Sequence, residues 1–136
     1  MSADLDVRDK LAIAELFARY SHSVDHAETD TWVALFTADG LFEIVGVTRF
    51  QGAAELRAMP AMLAENGKGA WRHQITDIVS AAGPDGATAQ AYGLITDWGG
   101  GGKAIAFAEY TAQLRRTESG WRFSRLAARM AADQAR

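Results

Sequence analysis

The sequence predicts an α+β fold in which N-terminal helices pack on a mostly antiparallel sheet. Apolar residues recur at helical spacing in the first third of the chain. The second half consists of β-rich segments joined by tight, glycine-containing turns, a pattern typical of antiparallel strands. The helices come before the strands and do not alternate with them, which favours α+β over α/β. The length of 136 residues indicates one domain, 1–136.

The first predicted element is an amphipathic helix from Val7 to about His26, with Asp6 or Asp9 able to cap its start. One face of this helix is apolar, and its members are Leu11, Ile13, Leu16, Phe17, Tyr20 and Val24. A face of this kind is expected to pack on the sheet.

A second, shorter helix is predicted to begin at Thr29 or Asp30 and to carry Trp32 and Phe36. The Asp39-Gly40 pair is a turn signal and is expected to end this segment.

A third helix is predicted over Ala53 to about Glu65, a stretch rich in Ala, Leu, Met and Glu. Pro60 lies inside it and should kink or break it, because proline lacks the backbone N–H of a helix interior.

The remaining segments are predicted strands. Leu41 to Gly52 should form two short strands that bend at Gly46. The four longer strands expected after them are Trp71–Ser80, Ala87–Trp98, Lys103–Arg116 and Trp121–Arg129. A strongly curved sheet wrapped against the helices would leave a cavity between the two layers.

Composition excludes several classes of function. The net charge is −3 and the basic residues are scattered, which argues against a nucleic-acid partner. The absence of cysteine excludes disulfides, thiolate catalysis and cysteine-based zinc sites. No signal peptide or apolar run long enough for a membrane helix is present, so we expect a soluble cytoplasmic protein with no membrane partner.

Motifs for cofactors and metals are also missing. The run Gly99–Gly102 is followed by a predicted strand, whereas a phosphate loop needs a helix N-terminus there. His22 and His26 could ligate a metal from one helix face, but the pair lacks the glutamate of a HExxH-type site. We therefore expect neither a cofactor nor a metal.

Three polar residues remain as candidates for chemistry. His73 lies on a strand, on the same face as Trp71 and Ile75, where a hydrogen-bonded core histidine is the simplest interpretation. Tyr20 fits the apolar face of the first helix. Asp25 lies at the end of that helix, where the macrodipole disfavours a carboxylate. Together they could form a site, since a carboxylate can orient an imidazole for proton abstraction and a tyrosine can polarise a carbonyl.

Four stretches carry a resemblance to a known family. They are ELFARYSHSVDHAETDTWVALFTADGLFEIVG, FQG, WRHQITDI and AFAEYTAQLRRTESGWRF. With these, nearly the whole chain resembles the SnoaL-like branch of the nuclear-transport-factor-2-like superfamily. The resemblance implies a cone-shaped α+β barrel with N-terminal helices packed on a strongly curved sheet.

The site pattern is similar to that of lyases in the superfamily: scytalone dehydratase, bile-acid 7α-dehydratase and hexachlorocyclohexane dehydrochlorinase. These enzymes use an Asp at the end of the first helix with a His on the first long strand, and Asp25 and His73 match those positions. The resemblance implies His73 as general base, Asp25 as its orienting carboxylate and Tyr20 as an assisting group. It also implies a homo-oligomer, either a trimer or a dimer.

The sequence departs from those relatives in places. Leu126 stands where the dehydrochlorinase has an arginine, flanked by Arg125 and Arg129, and either of these could enter the pocket. Ile44 stands where ketosteroid isomerase has its base, next to Glu43, which makes an isomerase that uses that position a poorer match.

The resulting hypothesis is a lyase, dehydratase-like, acting on a small hydrophobic cyclic or aromatic substrate. The expected lining and substrate-binding residues are Trp32, Phe36, Trp71, Tyr92, Phe107, Tyr110 and Arg129, with plain core packing as the alternative for each aromatic. An isomerase or cyclase would use the same pocket and return the proton elsewhere. A non-catalytic ligand-binding module is the alternative from another class.

Overall fold

A computed structural model describes residues 4–131. Four α-helices lie in the first half of this described range, and their bounds are α1 Val7–Asp25, α2 Thr29–Val33, α3 Gly52–Leu56 and α4 Ala58–Gly67. The start of α1 is stabilised by a capping box, in which the Asp6 carboxylate accepts the N–H of Asp9 and the Asp9 carboxylate accepts the N–H of Asp6.

Six strands form one curved sheet of order β2-β1-β6-β5-β4-β3. Their bounds are β1 Phe36–Ile44, β2 Thr48–Gln51, β3 Trp71–Gly83, β4 Gly86–Asp97, β5 Lys103–Thr117 and β6 Gly120–Met130. Every pairing is antiparallel except that of β1 with β6. The helices pack on one face of this mixed sheet, which is the cone-shaped α+β arrangement expected.

The segment around Asp39 and Gly40 is not a turn after a helix, as the sequence pattern had suggested. The second helix ends at Val33, and strand β1 runs through both residues. The pairing of β1 with β6 shifts register between Phe36 and Leu41, so an irregularity in the ladder takes the place of the expected turn.

The third predicted helix is two helices. The break falls at Arg57, between α3 and α4, three residues before Pro60. Pro60 lies in the first turn of α4, where the missing N–H costs nothing because those donors have no partner within the helix. The proline is therefore accommodated in the first turn of a helix and does not kink one.

The core lies between α1 and the concave face of the sheet. Phe17 of α1 meets Phe123 of β6 edge to face, with ring centroids 5.2 Å apart. The inward positions of β4 and β5 are mostly small: Ala87, Ala89, Ala91, Ala108 and Ala112. Small side chains let the helix approach the middle of the sheet closely.

Candidate active site

Asp25 and His73 are joined by a short hydrogen bond inside the protein. His73 Nδ1 lies 2.6 Å from Asp25 Oδ1, and the two side chains are only 8% and 6% exposed. The backbone N–H of His73 also points at the carboxylate, at 3.2 and 3.1 Å from its two oxygens. These donors stabilise a carboxylate at the last residue of α1, a position that the helix dipole would otherwise disfavour.

The contacts of this pair determine the tautomer of His73. An ionised carboxylate accepts hydrogen bonds and donates none, so Nδ1 of the ring must carry the proton that points at Asp25. In the neutral ring, Nε2 is then the basic nitrogen. Among residues 4–131, Nε2 has no hydrogen-bond partner, and His73 lines the main cavity. This leaves a ring nitrogen without a partner on a residue that lines the cavity.

Two tyrosine hydroxyls accompany the dyad. Tyr20 on α1 and Tyr110 on β5 are buried, and their ring centroids are 5.9 Å apart. Burial, more than their contact with each other or with Asp25, raises the pKa of Tyr20 well above its ordinary value. Burial likewise raises the pKa of Tyr110 to about 12. Both hydroxyls therefore stay protonated at neutral pH and can act as hydrogen-bond donors.

The positions of Tyr110 and Trp71 depend on close approaches to glycine. A Cβ on Gly93 of β4 would lie 2.4 Å from Cε2 of Tyr110, so the tyrosine ring occupies the space that a side chain would fill. A Cβ on Gly67 would lie 2.5 Å from the Trp71 ring. These two glycines therefore determine where the two aromatic rings stand.

The cavity beside the dyad has a volume of about 750 Å³, within the range of small-molecule sites. Its innermost lining includes Tyr20, Phe42 and Tyr110, all nearly inaccessible to solvent. Apolar residues from every layer complete the wall: Ile44, Met59, Leu63, Ile95, Ile105 and Met130. The inner part of the chamber suits a hydrophobic molecule that meets polar groups there only at His73 and the two tyrosines.

Of the residues expected from sequence to form the site, five line this cavity or hold those that do. Tyr20, His73, Trp71 and Tyr110 line it, and Asp25 supports His73 from behind. The helix and the strand that carry Asp25 and His73 pack on each other, which brings together two residues 48 positions apart.

Trp32 and Phe36 lie in the core behind the cavity and do not line it. Both are buried, and their rings pack together at 4.8 Å between centroids. Trp32 also contacts Tyr20 and Phe42, at 6.0 and 5.7 Å between centroids. The expectation that they line the pocket is corrected: they support its inner wall.

Tyr92, Phe107 and Arg129 lie on the opposite, convex face of the sheet. Alternation along β4 and β5 points Tyr92 and Phe107 away from the helices, and each is 57% exposed. Arg129 is exposed and pairs in register with Glu109. Their expected role in lining the pocket is therefore also corrected.

Arg125, the other arginine considered for the pocket, and His22, the histidine considered as a metal ligand, also lie outside the cavity lining. Arg125 forms an ion pair with Glu43 at 3.0 Å. His22 is exposed, and its carbonyl lies 2.8 Å from Nδ1 of His26. Within residues 4–131, no group of three or more His, Cys, Asp or Glu is placed to hold a metal ion.

The sequence pattern missed the residues at the rim of the cavity. Asn66, Lys68, Asp97 and Lys103 line it, from the end of α4, the last residue of β4 and the first residue of β5. The available signal was the glycine-rich context of both lysines, in NGKGA and GGGGK.

The fold and the buried dyad together define the class: an α+β cone with a carboxylate–imidazole pair facing an apolar chamber. Residues 6–127 match the model of the SnoaL-like domain, and the chain belongs to that family. No significant match was found among curated proteins. No helix in the described part of the chain is long and apolar enough to cross a membrane.

Solved structures agree on the fold. An NTF2-like protein with a cystatin-like fold from Novosphingobium aromaticivorans is 24% identical, with a TM-score of 0.83 over 95% of this chain and 88% of its own. A cystatin-like protein of unknown function from Nostoc punctiforme is 23% identical, with a TM-score of 0.84 over 94% and 95%. A third, from Novosphingobium aromaticivorans and provisionally named an aromatic ring hydroxylase, is 26% identical, with a TM-score of 0.73 over 97% and 99%.

Proposed function

We propose that this protein is a cofactor-independent lyase that eliminates water from a small hydrophobic cyclic or aromatic substrate. One observation carries the proposal: the 2.6 Å hydrogen bond between His73 and Asp25, with the free Nε2 beside a 750 Å³ cavity. A ligand-binding shell has no use for an imidazole oriented by a buried carboxylate. The geometry therefore supports proton transfer over binding alone.

In the proposed reaction, Nε2 of His73 removes a proton from a carbon next to a carbonyl of the substrate. Asp25 stabilises the imidazolium that forms. Tyr110 or Tyr20 donates a proton to the departing hydroxyl, which leaves as water, and a carbon–carbon double bond forms. The imidazolium proton then returns to the tyrosinate through solvent, which regenerates both groups.

An isomerase or cyclase is the second candidate, because the same base and cavity serve it. It would return the proton to another carbon and lose no group. Family membership supports this breadth, and a structural neighbour from Erwinia carotovora is named a ketosteroid isomerase-like protein. Loss or retention of the hydroxyl separates the two reactions.

The proposed function is tested by incubating the protein in D₂O with two probe sets, bicyclic β-hydroxy ketones and β,γ-unsaturated cyclic ketones. A lyase converts members of the first set to enones with loss of water, and reversible proton abstraction places deuterium next to the carbonyl of the remaining hydroxy ketone. An isomerase shifts the double bond of the second set and retains every heavy atom. Binding of these probes without exchange, detected by NMR, would contradict proton abstraction by His73 and favour a binding module.

We also propose that the convex sheet face joins copies of the chain in a homo-oligomer, either a trimer or a dimer. Val79, Tyr92 and Phe107 expose apolar side chains there, at 67%, 57% and 57%. Exposed patches of this kind commonly mark protein contacts. We expect light scattering to give a trimer or dimer mass at micromolar concentration, and Phe107→Glu to shift it toward the monomer. A monomeric wild type would contradict the assignment.

A further inference from the structure

The rim of the cavity carries two lysines. Lys68 follows α4 and Lys103 begins β5, and both line the chamber that contains His73. The chain has three lysines, so two of the three stand at this opening. Both are exposed, whereas Tyr20 and Phe42 at the inner end are almost fully buried. The cavity is thus apolar inside and cationic at its mouth.

Neither lysine side chain stabilises the fold through a polar contact in the described part of the chain. Within residues 4–131, their ammonium groups form no ion pair within 4.0 Å and no hydrogen bond to protein. Asp97 also lines the rim and pairs in register with Lys103, but its carboxylate accepts the N–H of Gly99 at 3.0 Å. The rim thus carries two ammonium groups against one carboxylate, so its net charge is positive.

The backbone of Lys68 gives an independent reason to look for a function. Lys68 adopts the left-handed conformation, with φ 52° and ψ 34°, at the end of α4. Glycine or asparagine is usual there, because a Cβ is disfavoured in that region. The turn is held in place by the Arg72 guanidinium, which donates to the carbonyl of Gly69 at 2.9 Å. Its backbone N–H caps α4, but its side chain makes no polar contact within residues 4–131, and a strained residue of this kind at a cavity mouth is typical of a functional position.

We infer that the substrate is a hydrophobic ring compound bearing an anionic group, such as a carboxylate or sulfonate, which Lys68 and Lys103 hold at the rim. The inference builds on the proposed function, since it names the substrate class of the same cavity. The ring system fills the apolar chamber and presents its reacting carbon to His73. The two ammonium groups bind the anionic end of the molecule. The positive charge at the rim therefore determines how the substrate is oriented in the chamber.

The inference is tested with two fluorescent probes that differ in charge. 1-Anilinonaphthalene-8-sulfonate is anionic, and N-phenyl-1-naphthylamine is the same ring system without the sulfonate. Lys68→Gly and Lys103→Gln should each weaken sulfonate binding about 3-fold, and together about 10-fold, as expected for exposed charge pairs. Binding of the neutral probe should change less than 2-fold. Raising NaCl from about 50 to 500 mM should weaken sulfonate binding to wild type and barely affect the double variant.

Two controls make the result specific. Lys10→Gln removes the remaining lysine, which bonds the Ser80 carbonyl away from the cavity, and should leave both probes unaffected. Lys68→Gly should melt within about 3 °C of wild type, since glycine accepts the left-handed backbone. Equal losses for both probes, or an equal loss in Lys10→Gln, would overturn the inference. Equilibrium binding involves no turnover, so such a failure would leave the exchange test of His73 unaffected, and a failed exchange test would leave this one standing.

Discussion

His73→Asn should reduce turnover or deuterium exchange by a factor of about 10²–10⁴ while leaving the protein folded. The asparagine amide can take the place of Nδ1 and donate to Asp25, so the buried carboxylate keeps a side-chain partner. What the variant lacks is Nε2, the basic nitrogen at the cavity surface. The measurement is deuterium incorporation into the best probe ketone, with the free energy of unfolding obtained from urea titration. We expect the free energy of unfolding to stay within about 1 kcal/mol of the wild-type value.

His73→Ala is the comparison for this variant. It removes both ring nitrogens and takes a hydrogen-bond donor from a buried carboxylate, at a cost of about 1–3 kcal/mol in the free energy of unfolding. Activity should be lost equally in both variants. If His73→Asn retained activity within about 3-fold of wild type, His73 would not be the base, whatever the stability of the protein.

The second large effect concerns stability. Trp32→Ala should lower the free energy of unfolding by about 3–5 kcal/mol, because it empties a fully buried site enclosed by Tyr20, Phe36 and Phe42. That is a large part of the stability of a typical domain. Urea titration measures it. Trp32→Phe should lower the free energy of unfolding much less. It leaves a ring in the site, and it removes the indole N–H, a buried donor that has no partner in the described residues.

Trp98→Ala is the matched control for this prediction. Trp98 is 62% exposed and stacks on the Arg72 guanidinium at 5.1 Å. Its loss should cost no more than about 1 kcal/mol. Similar values for Trp32→Ala and Trp98→Ala would contradict the placement of Trp32 in the core.

The arrangement of the fold was predictable because it rests on local patterns. The apolar face of α1 and the alternation of β3 to β6 were readable from spacing, and their bounds were expected to within a few residues. Asp39-Gly40 was misread because its turn propensity is overridden by the pairing of β1 with β6, a contact between distant segments. The break at Arg57 was placed at Pro60 because the pattern does not distinguish a proline in a first turn from one inside a helix.

The candidate site was predictable only in part. The pattern and the family resemblance together pointed to Asp25 and His73, and the structure places them in hydrogen bond. The sequence did not show which aromatic residues line the pocket and which lie in the core, because both environments use the same residue types. Tyr92 and Phe107 belong to the convex face. Side chains alternate between the two faces along a strand, so the face of each residue is determined once the strand register is known.

The sequence by itself determined the order of elements, the apolar faces and the residue types available for chemistry, since these depend on neighbours along the chain. The tertiary structure decided which of those residues meet. It turned Nδ1 of His73 toward Asp25, set Tyr110 against Gly93, and brought Lys68 and Lys103 to one rim. The physical reason is that a site is made from contacts between distant segments. Their geometry follows from strand register and helix docking, which no local pattern specifies.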